Sequence, residues 1–343
     1  MRFKWFRCLA ICLILLLAVM LLVAARASLQ SNKNAFGKNQ NSSATKRRKA
    51  ARRNQNAQVE RTHCNDTPPA NPSNCNINQS FVVGCELPFA DSESHEIDQR
   101  CPNEGCATRD SDKAQNRVKN NLCATGTPVQ ISFTSLDRLQ RAVDKMVRQG
   151  QISYGSTGPP QPADRVKLKG LTTVDQNGDP VTLGEGDLAI LEGFVLDAKH
   201  DDTFVLGTGP VGFQGEGVNC KNSLFEWNDI HIVLGSSGSA RECASATAEI
   251  IPHFRPAVWD RFDSNSCTST HVTNPLPVKG LRVRITGQLF FDGSHKPSPC
   301  GVAPGVGDPV RRSVWEIHPV YKIEVFDGAR FISLQDWAAA RHP

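Results

Sequence analysis

Lys279-Gly280-Leu281-Arg282-Val283-Arg284-Ile285-Thr286-Gly287-Gln288-Leu289 is the stretch on which the fold reading turns. Leu281, Val283 and Ile285 alternate with Arg282, Arg284 and Thr286, the period of a strand with one buried face. Gly287 interrupts the alternation, and a glycine inside a strand permits the sharp coiling of a small barrel. The stretch runs on through Phe291, so Leu281–Phe291 reads as one long strand.

Working outward, further strands are expected at Leu188–Leu196, Thr203–Leu206, Asn228–Leu234, Ala246–Ile251 and Val314–Phe326, with Gly, Pro, Asn and Asp between them. Helices are expected at the flanks. Leu136, Leu139, Val143, Met146 and Val147 recur at helical spacing over 135–149, with Thr134 or Ser135 as cap, and Ser333 caps a short helix from Leu334 to Ala340. Short strands with flanking helices predict a mainly β fold. Its expected form is a small antiparallel OB-like barrel over 163–343, with a sandwich as the alternative.

The N-terminus sets the compartment. Arg2, Lys4 and Arg7 precede an apolar block from Cys8 to Ala24, followed by Ala25-Arg26-Ala27. This is the layout of a secretory signal over 1–27, cleaved after Ala27 or kept as a single membrane anchor. The bulk of the chain is thus expected outside the cytoplasm, periplasmic or extracellular. Residues 1–62 hold 13 Lys and Arg against Glu60 alone, which leaves −7 for the remainder of a chain whose total is +5. The stretch 28–62 has almost no apolar residues and reads as a disordered basic linker, either a solvated spacer or a tether to membrane or envelope polymer. The acidic balance of the rest argues against nucleic acid as its partner and leaves carbohydrate or protein.

Ten cysteines follow the apolar block: Cys64, Cys75, Cys85, Cys101, Cys106 and Cys123, then Cys220, Cys243, Cys267 and Cys300. An even number in an exported chain reads as disulfides. Six of them fall in the polar segment 63–162, which would need cross-links to hold it. Pairing is expected to stay within each group. Cys101-Pro-Asn-Glu-Gly-Cys106 has the look of half a zinc knuckle, without a matching second pair.

The chemistry-bearing residues are Asp229, His231, Glu249, Asp292, His295, Glu316 and His318, each on or beside an expected strand. Asp229 and His231 are two apart, as are Glu316 and His318, so each pair shares a strand face. Brought together they would form a His/carboxylate cluster able to hold a divalent metal and activate water. The alternative is ordinary strand polarity and structural hydrogen bonding. No HExxH or G-x-S-x-G motif occurs, and the glycine-rich 207–217 lacks the ending of a phosphate loop. Phe213, Phe225, Trp227 and Trp259 are candidates for stacking on a ligand, or for pinning loops. Two functions follow: a non-catalytic binding module of the cell envelope, or a metal-assisted hydrolase of a phosphoester or polymer.

Asn219-Cys220, Asn228-Asp229-Ile230-His231, Ala248-Glu249-Ile250-Ile251-Pro252, Gly287 to His295 (GQLFFDGSH) and Trp315-Glu316-Ile317-His318-Pro319-Val320 also resemble a group of exported bacterial proteins with no activity attached to them. The resemblance spans roughly Asp164 to Phe326. It implies export and an OB-like barrel, and carries no chemistry.

Overall fold

The computed structural model describes Cys75 and residues 78–200, 204–205, 212–213, 216–222, 225–264 and 274–341. The expected signal or anchor, the expected basic linker, Cys64, Cys267 and the side chains of Phe213 and Phe225 lie outside the described residues.

Helices α1 (Glu96–Arg100) and α2 (Asp110–Lys119) precede β1 (Val129–Ile131) and α3 (Phe133–Arg148). The short α4 (Pro162–Arg165) and a hairpin of β2 (Leu171–Val174) and β3 (Pro180–Leu183) follow. Then come β4 (Leu188–His200), β5 (Phe204–Val205), β6 (Gly212–Phe213), β7 (Ile230–Gly235) and β8 (Ala246–Ile250). The chain continues through α5 (Ala257–Asp260), β9 (Arg282–Phe291), β10 (Trp315–Phe326), β11 (Phe331–Ser333) and α6 (Leu334–Arg341). Strand takes about 25% and helix about 24%, so helix has a larger share than a mainly β reading allows.

Five strands close into a ring. β4 pairs with β7, β7 with β8, β10 with β9 and β9 with β4, all antiparallel, while β8 and β10 pair in parallel. The barrel is therefore mixed, which corrects the antiparallel expectation. The reason is parity: an odd number of strands cannot close with every neighbour reversed, so one pair must run the same way. β1 adds a second parallel pairing, to β4 outside the ring.

Ile230, Ile232, Leu234, Ala246, Ala248, Val283, Ile285 and Ile317 are fully buried and fill the core. Leu136, Leu139 and Val143 of α3, and Phe81, Phe89 and Leu122 of the cysteine-rich segment, pack into the same cluster. Each such side chain contributes on the order of 1.5–3 kcal/mol. The cap of α3 is Ser132, two residues or more ahead of the expected one. Ser135 at the third helical position accepts the Ser132 N–H at 2.9 Å, so the serine pair acts as a capping box and Phe133 opens the helix.

β10 is irregular around the cis His318–Pro319 bond. A Cβ on Gly287, facing it in β9, would lie 2.3 Å from the Pro319 carbonyl oxygen. Only glycine lets β9 pass this bulge, so the glycine that suggested a barrel also makes room for the strand that carries His318.

Disulfides join Cys75–Cys106, Cys85–Cys123, Cys101–Cys220 and Cys243–Cys300. The Cys101–Cys220 bridge crosses between the two cysteine groups, which corrects the expectation that pairing stays within each. Cys101 and Cys106 go to different partners, so the zinc-knuckle reading falls. Four disulfides are the signature of an oxidising, exported environment. Among the described residues no helix is long and apolar enough to cross a membrane.

Candidate functional site

Strand register builds the floor of a cavity. On β7 the alternation that sends Ile230, Ile232 and Leu234 inward turns His231 and Val233 outward. On β8 it turns Thr247 and Glu249 the same way. His231 sits opposite Glu249 and Val233 opposite Thr247, while Thr247 also pairs with Glu316 of β10. Lys199 of β4 flanks His231. These side chains open into a cavity of about 830 Å3, roofed by α2, the 216–221 segment and the connection from Asp292 to Arg311. Disulfides Cys101–Cys220 and Cys243–Cys300 fasten two of those walls.

His231, Glu249, Asp292, His295 and Glu316 line the cavity, and Asp229 and His318 are fully buried behind it. The seven residues therefore converge, but they separate into three groups. In the first, Asp229, His231 and Glu249 bring one donor atom each within 4.8 Å of the others. His231 Nε2 is 3.5 Å from Glu249 Oε1. Asp229 is 0% exposed, and neither carboxylate oxygen has a hydrogen bond among the described residues.

In the second group, His318 Nδ1 lies 2.7 Å from Glu249 Oε2 and 3.4 Å from Glu316 Oε2. Arg311 closes this group by pairing with Glu316, with Asp292 Oδ2 at 2.9 Å and with Thr247 Oγ1 at 3.0 Å. The third group stands at the mouth, where half-exposed His295 has Nε2 3.9 Å from Asp292 Oδ2.

The electrostatics follow from crowding. Burial opposes charge on His318, but the Glu249 carboxylate and the contacts to both glutamates override it and push the pKa up to about 9. Burial also opposes ionisation of Glu249; His231, His318 and Lys119 reverse that and hold it well below the usual carboxylate range. Glu316 goes the other way, raised by burial and by the Glu249 charge against the pull of Arg311. Asp292 is lowered, with His295 and Arg311 outweighing its burial.

The sequence reading passed over Lys119, Arg311, Glu216 and the whole of α2. Helix α2 reads DSDKAQNRVK and has no apolar stripe; its buried face is Ser111, Gln115, Asn116 and Lys119. The signal available was a ten-residue run without Gly or Pro, acidic in its first turn and basic in its last, with polar residues at i, i+4 and i+8. Trp227 is buried beside Ile97, Cys101 and Cys220, and Trp259 beside Phe89 in the main core. Neither lines the cavity, so the stacking role expected of these two does not fit; burial, and a disulfide beside Trp227, explain both positions.

Comparison with protein-family models, with curated proteins and with solved structures finds no match to this chain. The function must be argued from the cavity.

Proposed function

We propose that the cavity is the active site of an exported, metal-assisted hydrolase of anionic esters, with one divalent ion held by Asp229, His231 and Glu249. Asp229 carries the reading. A wholly buried carboxylate costs several kcal/mol unless it is paired or ligates a metal, and this one has no hydrogen bond among the described residues and Lys119 Nζ only at 3.8 Å. His231 and Glu249, at 3.5 Å, already have the spacing of two ligands on a tetrahedral ion, about 3.4 Å for bonds near 2.1 Å. A divalent ion held there would acidify a bound water, to a pKa of about 7 if the ion is Zn2+.

The remaining groups have roles suited to that chemistry. His318 stands as a charge partner 2.7 Å from the second oxygen of Glu249, where a group behind a metal ligand commonly lies. Arg311 fixes Glu316 and Asp292. His295, at the mouth and backed by Asp292, is placed to pass a proton to a leaving group.

The proposal extends to the fold. Taking β4, β7, β8, β9 and β10 as strands one to five, the ring order is 1-2-3-5-4, with the third and fifth parallel, the arrangement we assign as OB-like. OB-type barrels bind ligands on strands two and three and on the loops after strands one and four. The cavity occupies that face. This placement also favours a second reading, a non-catalytic module for a carbohydrate or protein of the envelope. The exported bacterial group that the chain resembles fits either, as does a basic linker tethering the domain to membrane or envelope polymer.

Native mass spectrometry of the oxidised protein with Zn2+, Mn2+ or Ca2+, followed by hydrolysis of bis(4-nitrophenyl) phosphate, separates the two. One equivalent of metal, lost in Asp229→Asn and His231→Ala together with turnover, is the expected result. No uptake of any of these ions in the folded protein overturns the hydrolase and leaves the binding module.

A further inference from the structure

Lys119 is delivered to the cavity by a helix whose buried side chains are all polar. Gln115 anchors that helix to the connection after β9, donating to Ser294 Oγ at 2.7 Å and accepting from Gly293 N at 2.9 Å. Asn116 Nδ2 donates to the Glu104 carbonyl at 2.8 Å. These bonds fix the last turn, and with it the Lys119 ammonium.

That ammonium, on a side chain only 10% exposed, makes a hydrogen bond to Glu216 Oε2 at 2.7 Å. Glu249 Oε2 at 3.7 Å and Asp229 Oδ2 at 3.8 Å are charge contacts beyond hydrogen-bond reach. An ammonium has three donors, so among the described residues two remain for a ligand. The other inner cation, Arg311, already spends its terminal nitrogens on Thr247, Glu316 and Asp292. Lys199 and Lys221 stand exposed at the rim. Lys119 is thus the inner cation with donors to give, and it neighbours two of the three proposed metal ligands.

We infer that Lys119 and the ion at Asp229, His231 and Glu249 together receive one oxyanion of the substrate, which makes the site selective for a phosphoryl-type group. The inference rests on the metal reading above. Two positive centres a few ångströms apart suit a tetrahedral oxyanion, one oxygen on the ion and another on the lysine. A ligand with only one acceptor oxygen for the ion would leave the remaining ammonium donors unanswered. Lys119 is here a specificity-determining residue.

The test uses the oxidised, Co2+-loaded protein, with inorganic phosphate and acetate as probes. Cobalt uptake is counted first, and binding is followed by titration calorimetry and by the visible cobalt spectrum. Lys119→Met is expected to keep one equivalent of cobalt and to weaken phosphate by about 10–100-fold, the worth of a hydrogen bond to a charged group. Lys119→Arg should recover most of that loss. Glu216→Gln, which leaves the lysine in place, should bind phosphate at least as well as the parent and guards against a variant that merely misfolds. Phosphate binding that is absent from the parent, or equal in Lys119→Met, overturns the inference and leaves the metal centre standing. Acetate bound as tightly as phosphate and equally sensitive to Lys119 overturns the phosphoryl selectivity. Failure to take up cobalt overturns the metal reading and this inference with it.

Discussion

Among the described residues His318 and His253 are both 0% exposed and lie against carboxylates, and their surroundings treat them in opposite ways. His318 faces Glu249 and Glu316 on the cavity side of the barrel, and its pKa is pushed up to about 9. His253 has Nδ1 2.9 Å from Asp98 Oδ1 and stacks on Phe81 with ring centroids 3.9 Å apart; burial lowers its pKa. Burial is nearly equal in the two places. The difference is in the balance of charges: Glu249 and Glu316 outweigh burial and the Lys119 charge at His318, whereas Asp98 and the Asp229 charge do not outweigh burial and the Arg255 charge at His253. One histidine belongs to a charged network that shapes a cavity. The other is a neutral seam between the cysteine-rich segment and the barrel.

The sharpest way to break this contrast is Glu249→Gln. It strips both His318 and Lys119 of a buried countercharge, which costs on the order of 3–5 kcal/mol, and removes a proposed metal ligand. Urea unfolding and metal uptake should both collapse; unchanged stability would mean that the network is not charged as described.

The pH dependence of metal-free protein comes next. His318 has a folded pKa above its unfolded value near 6.5, so its contribution is complete below that pH and is lost as pH rises toward about 9. The full shift corresponds to roughly 3 kcal/mol. His253 has the opposite sign: its folded pKa is depressed, so stability falls as pH drops below about 6.5 and the unfolded chain takes the proton. Denaturant midpoints across pH should show both limbs, with His318→Gln flattening the alkaline one and His253→Phe the acid one. Loss of the wrong limb in either variant would reverse the assignment.

Asp98→Asn is a smaller change, about 1–3 kcal/mol from a weakened buried hydrogen bond. It should leave metal uptake untouched, since Asp98 belongs to the seam. A fall in metal stoichiometry would show that seam and cavity are coupled. Phe81→Leu should cost the least, about 1 kcal/mol for the lost ring contact, and should move only the acid limb in the same titrations.

Much of this arrangement was legible in residue order. The strands expected at Leu281–Phe291, Ala246–Ile251 and Val314–Phe326 each lie within one residue of β9, β8 and β10, because strand alternation is a local property. Parity alone also put His231 beside Asp229, since residues two apart share a face whatever the partner strand, while Glu249 arrives only through the pairing of β7 with β8. The edges of β4 were harder. It runs to His200, past the apolar run, because Asp197 and Lys199 are held by pairing with β7.

Disulfide chemistry, strand periodicity and the shared faces of Asp229 with His231 and of Glu316 with His318 are determined by sequence, since each depends on composition or on neighbours a few residues apart. Only the tertiary structure decided which strands meet, that one pair must be parallel, that Cys101 reaches Cys220 across 119 positions, and that Lys119 and Arg311 enter the acid cluster. Those facts depend on contacts between distant segments. A polar helix such as α2 leaves no apolar period by which to foresee them, because its buried face is fitted to a cavity and not to a core.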